Sequence, residues 1–344
     1  MYIGLDIGYS AVKLAYGRDK LPETTTLPVG AAPIADVRGG IDGQMNLGSG
    51  QLVMVNEVEW AAGLKPSEIR HYTRVMDENY PKEPRYLALA RAALATCKSK
   101  TVDCLVTGLP VAQWNKAEER AALTSLLEGR HYIRHDLVVD VKNVRVIPQP
   151  SGALTSHMMT QAGLAPANQI GKEESVLIVD PGHYSMDWVV VHEGSLNTDA
   201  AGSTFAAGDE IVSACTAALQ SKHGNKVNAQ KIERALLAGS TSLTFGVDSA
   251  NALDFRAELE AEADKIVSRN LMPIKASIRS VMKNSGVDVV LVTGGCADLF
   301  APALRRVFPD SRVVIAQAGV MANAKGFYLM ARYASRAQLR SATA

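Results

Sequence analysis

One device occurs twice in this chain, an Asp-Gly turn joining two apolar strands, and it limits the possible folds more than any other feature. The first copy is Asp6-Ile7-Gly8-Tyr9-Ser10, set between Tyr2-Ile3-Gly4-Leu5 and Ala11-Val12-Lys13-Leu14. The second is Asp180-Pro181-Gly182-His183-Tyr184-Ser185-Met186-Asp187, set between Val176-Leu177-Ile178-Val179 and Trp188-Val189-Val190-Val191. Each copy ends an apolar strand on a carboxylate, a group that is costly to bury alone. Two such turns suit a metal-bound triphosphate gripped from two sides.

The residues of each turn fit that chemistry. Gly8 exposes its amide without a side chain and reaches conformations closed to other residues. Successive amides through Gly8, Tyr9 and Ser10 make an anion-binding nest, and Ser10 adds a hydroxyl. Lys13, on an alternating strand, is expected to place its ammonium near the β- or γ-phosphate. Asp6 beside phosphate makes sense if Mg²⁺ lies between them, and Mg²⁺ keeps several waters and takes one or two carboxylates. In the second turn, Pro181 biases Asp180 to an extended conformation, carrying the strand up to the bend. Gly182, His183 and Tyr184 offer amides, Ser185 a hydroxyl, and Asp187 a second carboxylate. Either turn alone also reads as an ordinary Asp-Gly hairpin. Two turns launching similar strand sets favour the phosphate-and-metal reading, with Asp6 and Asp180 near the metal.

With 344 residues, 47% of them hydrophobic, the chain is long enough for two cores. A formal net charge of +1 gives no field to attract nucleic acid or an anionic membrane. Cys97, Cys104, Cys215 and Cys296 are scattered in apolar stretches and read as buried free thiols. The seven histidines show no metal-ligand spacing. The opening residues lack the basic segment of a signal peptide, and no apolar run approaches the ~20 residues of a membrane span. A cytoplasmic location is therefore expected. Trp60, Trp114 and Trp188 read as core. Arg332, Arg336 and Arg340, spaced by four, read as a solvated stripe, with an adaptor or filament contact as the alternative.

Strand and helix patterns alternate through both halves, so the class is α/β. Strands are expected at 2–7, 11–17 and near 24–30, followed by a Gly-punctuated inserted subdomain over 31–82. A helix starting near Glu83, with an apolar face from Tyr86 to Leu94, and one at about 115–127 flank a strand at 102–107, and two strands, 132–139 and 141–147, precede a helix at 153–163. The second half repeats the plan with strands at 176–180, 184–191 and 195–202 and helices at 208–222 and 228–238. A long helix over 253–283 is expected to kink at Pro273. A strand at 287–293, a helix at 297–306, a strand at 312–316 and a helix at 320–339 follow. The expected division is 1–165, completed by 320–344, and 166–319.

The two turns resemble the first and second phosphate loops of the actin, sugar kinase and heat-shock chaperone superfamily of ATPases. Val290-Leu291-Val292-Thr293-Gly294-Gly295 resembles its adenosine loop. Val146–Leu154, containing Pro148-Gln149-Pro150-Ser151-Gly152, resembles its first connecting segment, and Gly319–Phe327 its second. All five stand in the family's order. The length and the Asp-Pro-Gly-x-x-x-x-Asp-Trp form are most similar to plasmid-segregation actins of the ParM/StbA type. His183 departs from the small residue usual in the second loop. The resemblance implies a two-lobed fold with ATP and Mg²⁺ in a cleft between lobes. It implies Gln149 as the residue that positions the attacking water, with Asp180 also catalytic through the metal. It implies adenosine against Gly294 and Gly295, and base or ribose contacts from Lys231, Glu233 and Asp209. It further implies ATP-driven self-assembly into filaments, plasmid DNA segregation through a DNA-binding adaptor, and no direct nucleic-acid or membrane contact. A small-molecule kinase or phosphatase of the same superfamily, with Asp187 as its one candidate base, and a non-catalytic nucleotide-sensing scaffold are the alternatives.

Overall fold

A computed structural model describes residues 1–39, 47–48, 50–73, 79–182, 185–204, 208–224, 227–237, 240–244, 252–281 and 286–342, without the side chains of 208–209, 237, 274, 277, 280–281 and 335–342. The chain divides into two compact units, Met1–Leu164 with Ala316–Ala344, and Ala165–Ile315.

The first unit opens with β1 (Tyr2–Ile7), β2 (Ala11–Gly17) and β3 (Glu23–Pro28), an antiparallel meander. A small sheet follows, made of β4 (Gly30–Pro33), β5 (Gln51–Val55) and β6 (Val58–Leu64) in the order β4-β6-β5. Helix α1 (Pro84–Thr96) starts on a proline, whose fixed φ suits the first helical position. Next come β7 (Thr101–Val102), β8 (Cys104–Leu109), α2 (Val111–Trp114), α3 (Ala117–Leu127), β9 (Gly129–Arg134), β10 (Leu137–Val141), β11 (Val144–Pro148) and α4 (Ser151–Thr160). The main sheet has the order β11-β8-β1-β2-β3, with β8 and β11 parallel to β1.

The second unit contains β12 (Val176–Pro181), β13 (Met186–His192), β14 (Ser195–Thr204), α5 (Gly208–His223), α6 (Ala229–Leu237), β15 (Ser242–Thr244), β16 (Ala252–Asp254), α7 (Arg256–Val281), β17 (Val289–Val292), α8 (Ala297–Val307) and β18 (Arg312–Ile315). Its sheet order, β14-β13-β12-β17-β18, reproduces that of the first unit strand for strand: three antiparallel, then two parallel. The chain ends in α9 (Ala322–Ala342), which packs on β1, β2 and β8 of the first unit.

Strand alternation decides what each face of the first sheet covers. Ile3, Leu5, Val12, Leu14 and Leu105 turn to the core shared with α1. Ala15, Cys104 and Val106 turn the other way and meet Ala324, Phe327, Tyr328 and Ala331 of α9. In the second unit β12 and β17 are buried along their whole lengths, as central strands covered on both faces must be.

Several local expectations change. The two strands expected over 132–147 are three, because the chain reverses between Arg134 and Leu137 before running on into β11. The helix expected over 115–127 is α3, and the one-turn α2 before it was not foreseen. The long helix expected over 253–283 is α7, with Pro273 inside it. The β15–β16 ribbon was not foreseen; three-residue strands carry too little pattern to read. Arg332 is not on a solvated stripe: α9 turns it inward, where it is 6% exposed. The side chains of Arg336 and Arg340 lie outside the described residues. Trp188 is buried, and Trp60 and Trp114 pack partly buried against the first core. Among the described residues no helix is long and apolar enough to cross a membrane.

Candidate functional site

Both turns close in the same way. Gly8 N–H donates to the Ala11 carbonyl at 3.1 Å, and Gly182 N–H to the Ser185 carbonyl at 2.8 Å. In each, the donor lies two residues past the aspartate and the acceptor five. The two aspartates also hold matching positions, each near the end of the middle strand of its sheet.

In the first unit Asp6 is 3% exposed, and both its oxygens are engaged. Lys13, its cross-strand register partner, donates from Nζ to Oδ2 at 3.2 Å. Gln149 donates from Nε2 to Oδ1 at 2.6 Å across 143 residues of sequence. Lys13 Nζ also lies 3.1 Å from where a side chain on Gly8 would begin, so the ammonium sits over the turn's backbone. Asp6, Gly8, Lys13 and Gln149 are thus brought together. Ser10 and Tyr9 stand half-buried in the same turn.

The placement of Gln149 depends on α4 and α9. Gln149 N–H continues the ladder by donating to Leu109, and α4 begins two residues later. Asn323 of α9 caps that helix, its Oδ1 accepting from Ala153 N–H at 3.1 Å. The helices cross so closely that a Cβ on Gly326 would lie 1.8 Å from the Gly152 carbonyl oxygen. Asn323 lies in the segment Gly319–Phe327 but was given no role there; a cap supplied by a helix 170 residues away leaves no local signal.

In the second unit Asp180 is 7% exposed and Asp187 3% exposed, and they are register partners across β12 and β13. Side chains so paired stand about 4.5–5.5 Å apart at Cβ on one sheet face, and like charges there repel. Asp187 is oriented by two hydroxyls, Ser185 Oγ at 2.9 Å on Oδ2 and Ser203 Oγ on Oδ1. Ser203, on β14, is a second residue missed from sequence. Gly294 takes φ +82°, and a Cβ there would lie 2.4 Å from Asp180 Oδ1. Only glycine lets the turn after β17 lie against that carboxylate, so Asp180, Asp187, Gly182 and Gly294 share one end of this sheet. Gly295 is exposed beside Gly294. The Asp180 charge and burial together push the Cys296 thiol up to about 11, burial being the larger cause.

Lys231 and Glu233 lie on α6, Lys231 exposed and Glu233 partly so, with Asn228 capping the helix at the Lys231 amide. His183, Tyr184 and the side chain of Asp209 lie outside the described residues.

Two sheets of one topology, each with an aspartate turn on its middle strand, are an arrangement that proteins of known structure share. Residues 4–152 match the family model described as the N-terminal domain of actin-like proteins. The archaeal actin homolog Ta0583 superposes with a TM-score of 0.72 over 97% of this chain and 100% of that one, at 16% identity. This is an actin-like fold. The actin-like protein Alp7A matches 99% of the actin-like chain and 98% of its own, with a TM-score of 0.69 at 14% identity. ParM from a 15-stranded Clostridium botulinum filament matches 96% and 98%, with a TM-score of 0.67 at 19% identity. Among curated proteins, none matches the sequence.

Proposed function

We propose that this actin-like chain binds ATP with Mg²⁺, hydrolyses it, and assembles into filaments that segregate plasmid DNA through a DNA-binding adaptor. The observation that carries the reading is the matched pair of turns. One presents backbone amides with Lys13 above them, and the other a buried pair of carboxylates. The same neighbours support it: Ta0583 was also crystallised in complex with ADP, and the Clostridium botulinum ParM forms a filament.

The residues present fit the group they would hold. Asp180 and Asp187 place two buried acids side by side, a donor set suited to a hard divalent cation directly or through its waters. Mg²⁺ there would offset charge on the phosphate groups. The amides of Tyr9 and Ser10 would receive the phosphate oxygens, and Gly8, whose own N–H stays on the Ala11 carbonyl, would let phosphate approach the backbone closely. Lys13 would exchange Asp6 for phosphate, and Asp6 would turn toward the metal's waters. Gln149, held by Asp6 through its amide nitrogen, keeps its amide oxygen to accept a hydrogen from the attacking water. A neutral amide orients water without removing its proton, so turnover is slow until assembly. Gly294 and Gly295 would lie against adenosine, with Lys231, Glu233 and Asp209 on the ribose and base side.

The kinase alternative depends on Asp187 as base, and both Asp187 oxygens already accept hydroxyl hydrogen bonds in a buried site. The test is electron microscopy and pelleting of the purified chain with ATP, ADP and a non-hydrolysable analogue, alongside phosphate release. Filaments with ATP that disassemble after hydrolysis are expected. A chain that stays monomeric at high concentration with Mg²⁺ and ATP overturns the reading.

A further inference from the structure

Three tyrosine rings run in contact around the Asp6 turn. Tyr9, in the turn, stacks on Tyr80 with centroids 5.0 Å apart and planes at 26°. Tyr80 meets Tyr86 edge-on, at 5.4 Å and 86°. Tyr80 is 5% exposed and Tyr86, in the first turn of α1, 2%. Burial first, and then the Asp6 charge, raise the pKa of the Tyr86 hydroxyl. The turn is therefore held at its bend by Tyr80, which Tyr86 backs in turn.

The attachment of these rings is firm. Arg85, next to Tyr86, donates to the Thr73 carbonyl at 2.6 Å and lies over the Tyr72 ring at 5.6 Å. Arg91, further along α1, donates to the Met54 carbonyl of β5. The chain thus returns from its small inserted sheet at Tyr80, against the bend that holds Tyr9, and α1 ties that return to the sheet. An amide nest works only if its N–H groups are held convergent before the anion arrives.

We propose that Tyr80 is a positioning residue for the Asp6 turn, its ring clamping Tyr9 so that the turn's amides are preset for the phosphate groups of a nucleotide. The inference rests on the ATP reading above. An aromatic pair contributes about 0.5–1.5 kcal/mol beyond its buried area, up to about tenfold in affinity. The effect belongs to binding, because the amides are needed whenever phosphate is bound.

The experiment measures Mg²⁺–ATP affinity of the full chain by calorimetry, with melting temperature without nucleotide recorded for each variant. Tyr80→Leu keeps a buried apolar side chain and removes the ring; it should weaken Mg²⁺–ATP about fivefold to tenfold, with Tyr80→Phe within twofold of wild type. Tyr9→Leu should show the same loss, and the double variant should bind no worse than either single, since both remove one contact. Full affinity in Tyr80→Leu, or additive losses in the double variant, would overturn the proposal while leaving the ATP reading standing. A wild-type chain that does not bind Mg²⁺–ATP overturns both. Should Tyr80→Leu fail to fold, the half-exposed Tyr9→Leu decides alone.

Discussion

In the first unit Asp6 stands opposite Lys13 across β1 and β2; at the corresponding place in the second unit Asp180 stands opposite Asp187. The strands, the register and the turn hydrogen bond correspond, and one residue of the pair reverses sign. Acid with base is balanced within itself, and an ion pair at 3.2 Å with Lys13 16% exposed needs nothing further to persist. In the second unit acid stands opposite acid, and two hydroxyls orient Asp187. The difference assigns opposite partners to two otherwise similar turns. In the function proposed above, the first would give up Lys13 to an anion and the second would take a cation.

The strongest way to break that contrast is to neutralise each acid. Asp180→Asn should lower ATP hydrolysis by at least about 10²-fold, as loss of a charge-organising group does. It should leave the nucleotide-free melting temperature unchanged or raised, because repulsion with Asp187 is relieved. Asp6→Asn should instead destabilise the nucleotide-free chain by about 3 kcal/mol, since it strands a partly buried ammonium. Equal melting shifts in calorimetry for the two variants would end the comparison. Gln149→Ala tests the water-positioning role: turnover should fall about 10²-fold with ATP affinity nearly kept, in single-turnover and binding measurements.

Glycines sharpen the contrast at smaller scale. Gly294→Ala should cost about 2 kcal/mol in denaturant unfolding, because it combines a left-handed φ with contact on a fixed carboxylate and on the Pro181 carbonyl. Gly8→Ala should cost less than about 1 kcal/mol without nucleotide, because its nearest contact is the end of the flexible Lys13 side chain.

The units should also differ in acid. Among the described residues the buried histidines, His131 and His157, are both in the first unit. Burial is the main cause holding His131 below its ordinary 6.5, and the nearby Arg91 charge adds to it. Its Nε2–H donates to the Leu127 carbonyl at 2.8 Å, while buried Nδ1 has no partner to share a proton with. Below pH 6.5 the unfolded chain therefore binds a proton that the folded chain resists, and stability falls as pH drops through that window. Amide exchange at pH 7 and pH 5 should show the first unit loosening first, and His131→Gln should flatten that pH dependence. The smallest effect is a shared one. Burial raises Cys97 and Cys215 to about 12 and Cys104 and Cys296 to about 11, so alkylation at pH 8 should be negligible in either unit until it unfolds.

Much of this was readable in the chain. Alternation of apolar residues before each Asp-Gly, and the turn chemistry itself, act over fewer than ten residues, so both turns and the α/β class could be stated in advance. Gln149 was named by resemblance, not by any pattern of its own. Arg332 was misplaced because a four-residue spacing shows that residues share a helix face and leaves open which way the face points.

The amino-acid sequence by itself determined two strand–turn–strand units, each ending a buried strand on an aspartate, because strand period and turn geometry are local properties. Tertiary structure alone decided what those aspartates face. Gln149 reaches Asp6 across 143 residues, Ser203 reaches Asp187 from the neighbouring strand, and Asn323 caps α4 from the far end of the chain. Tyr80 closes on Tyr9 after an intervening sheet. Register and packing bring these groups together, and neither is written in the spacing of residues along the chain.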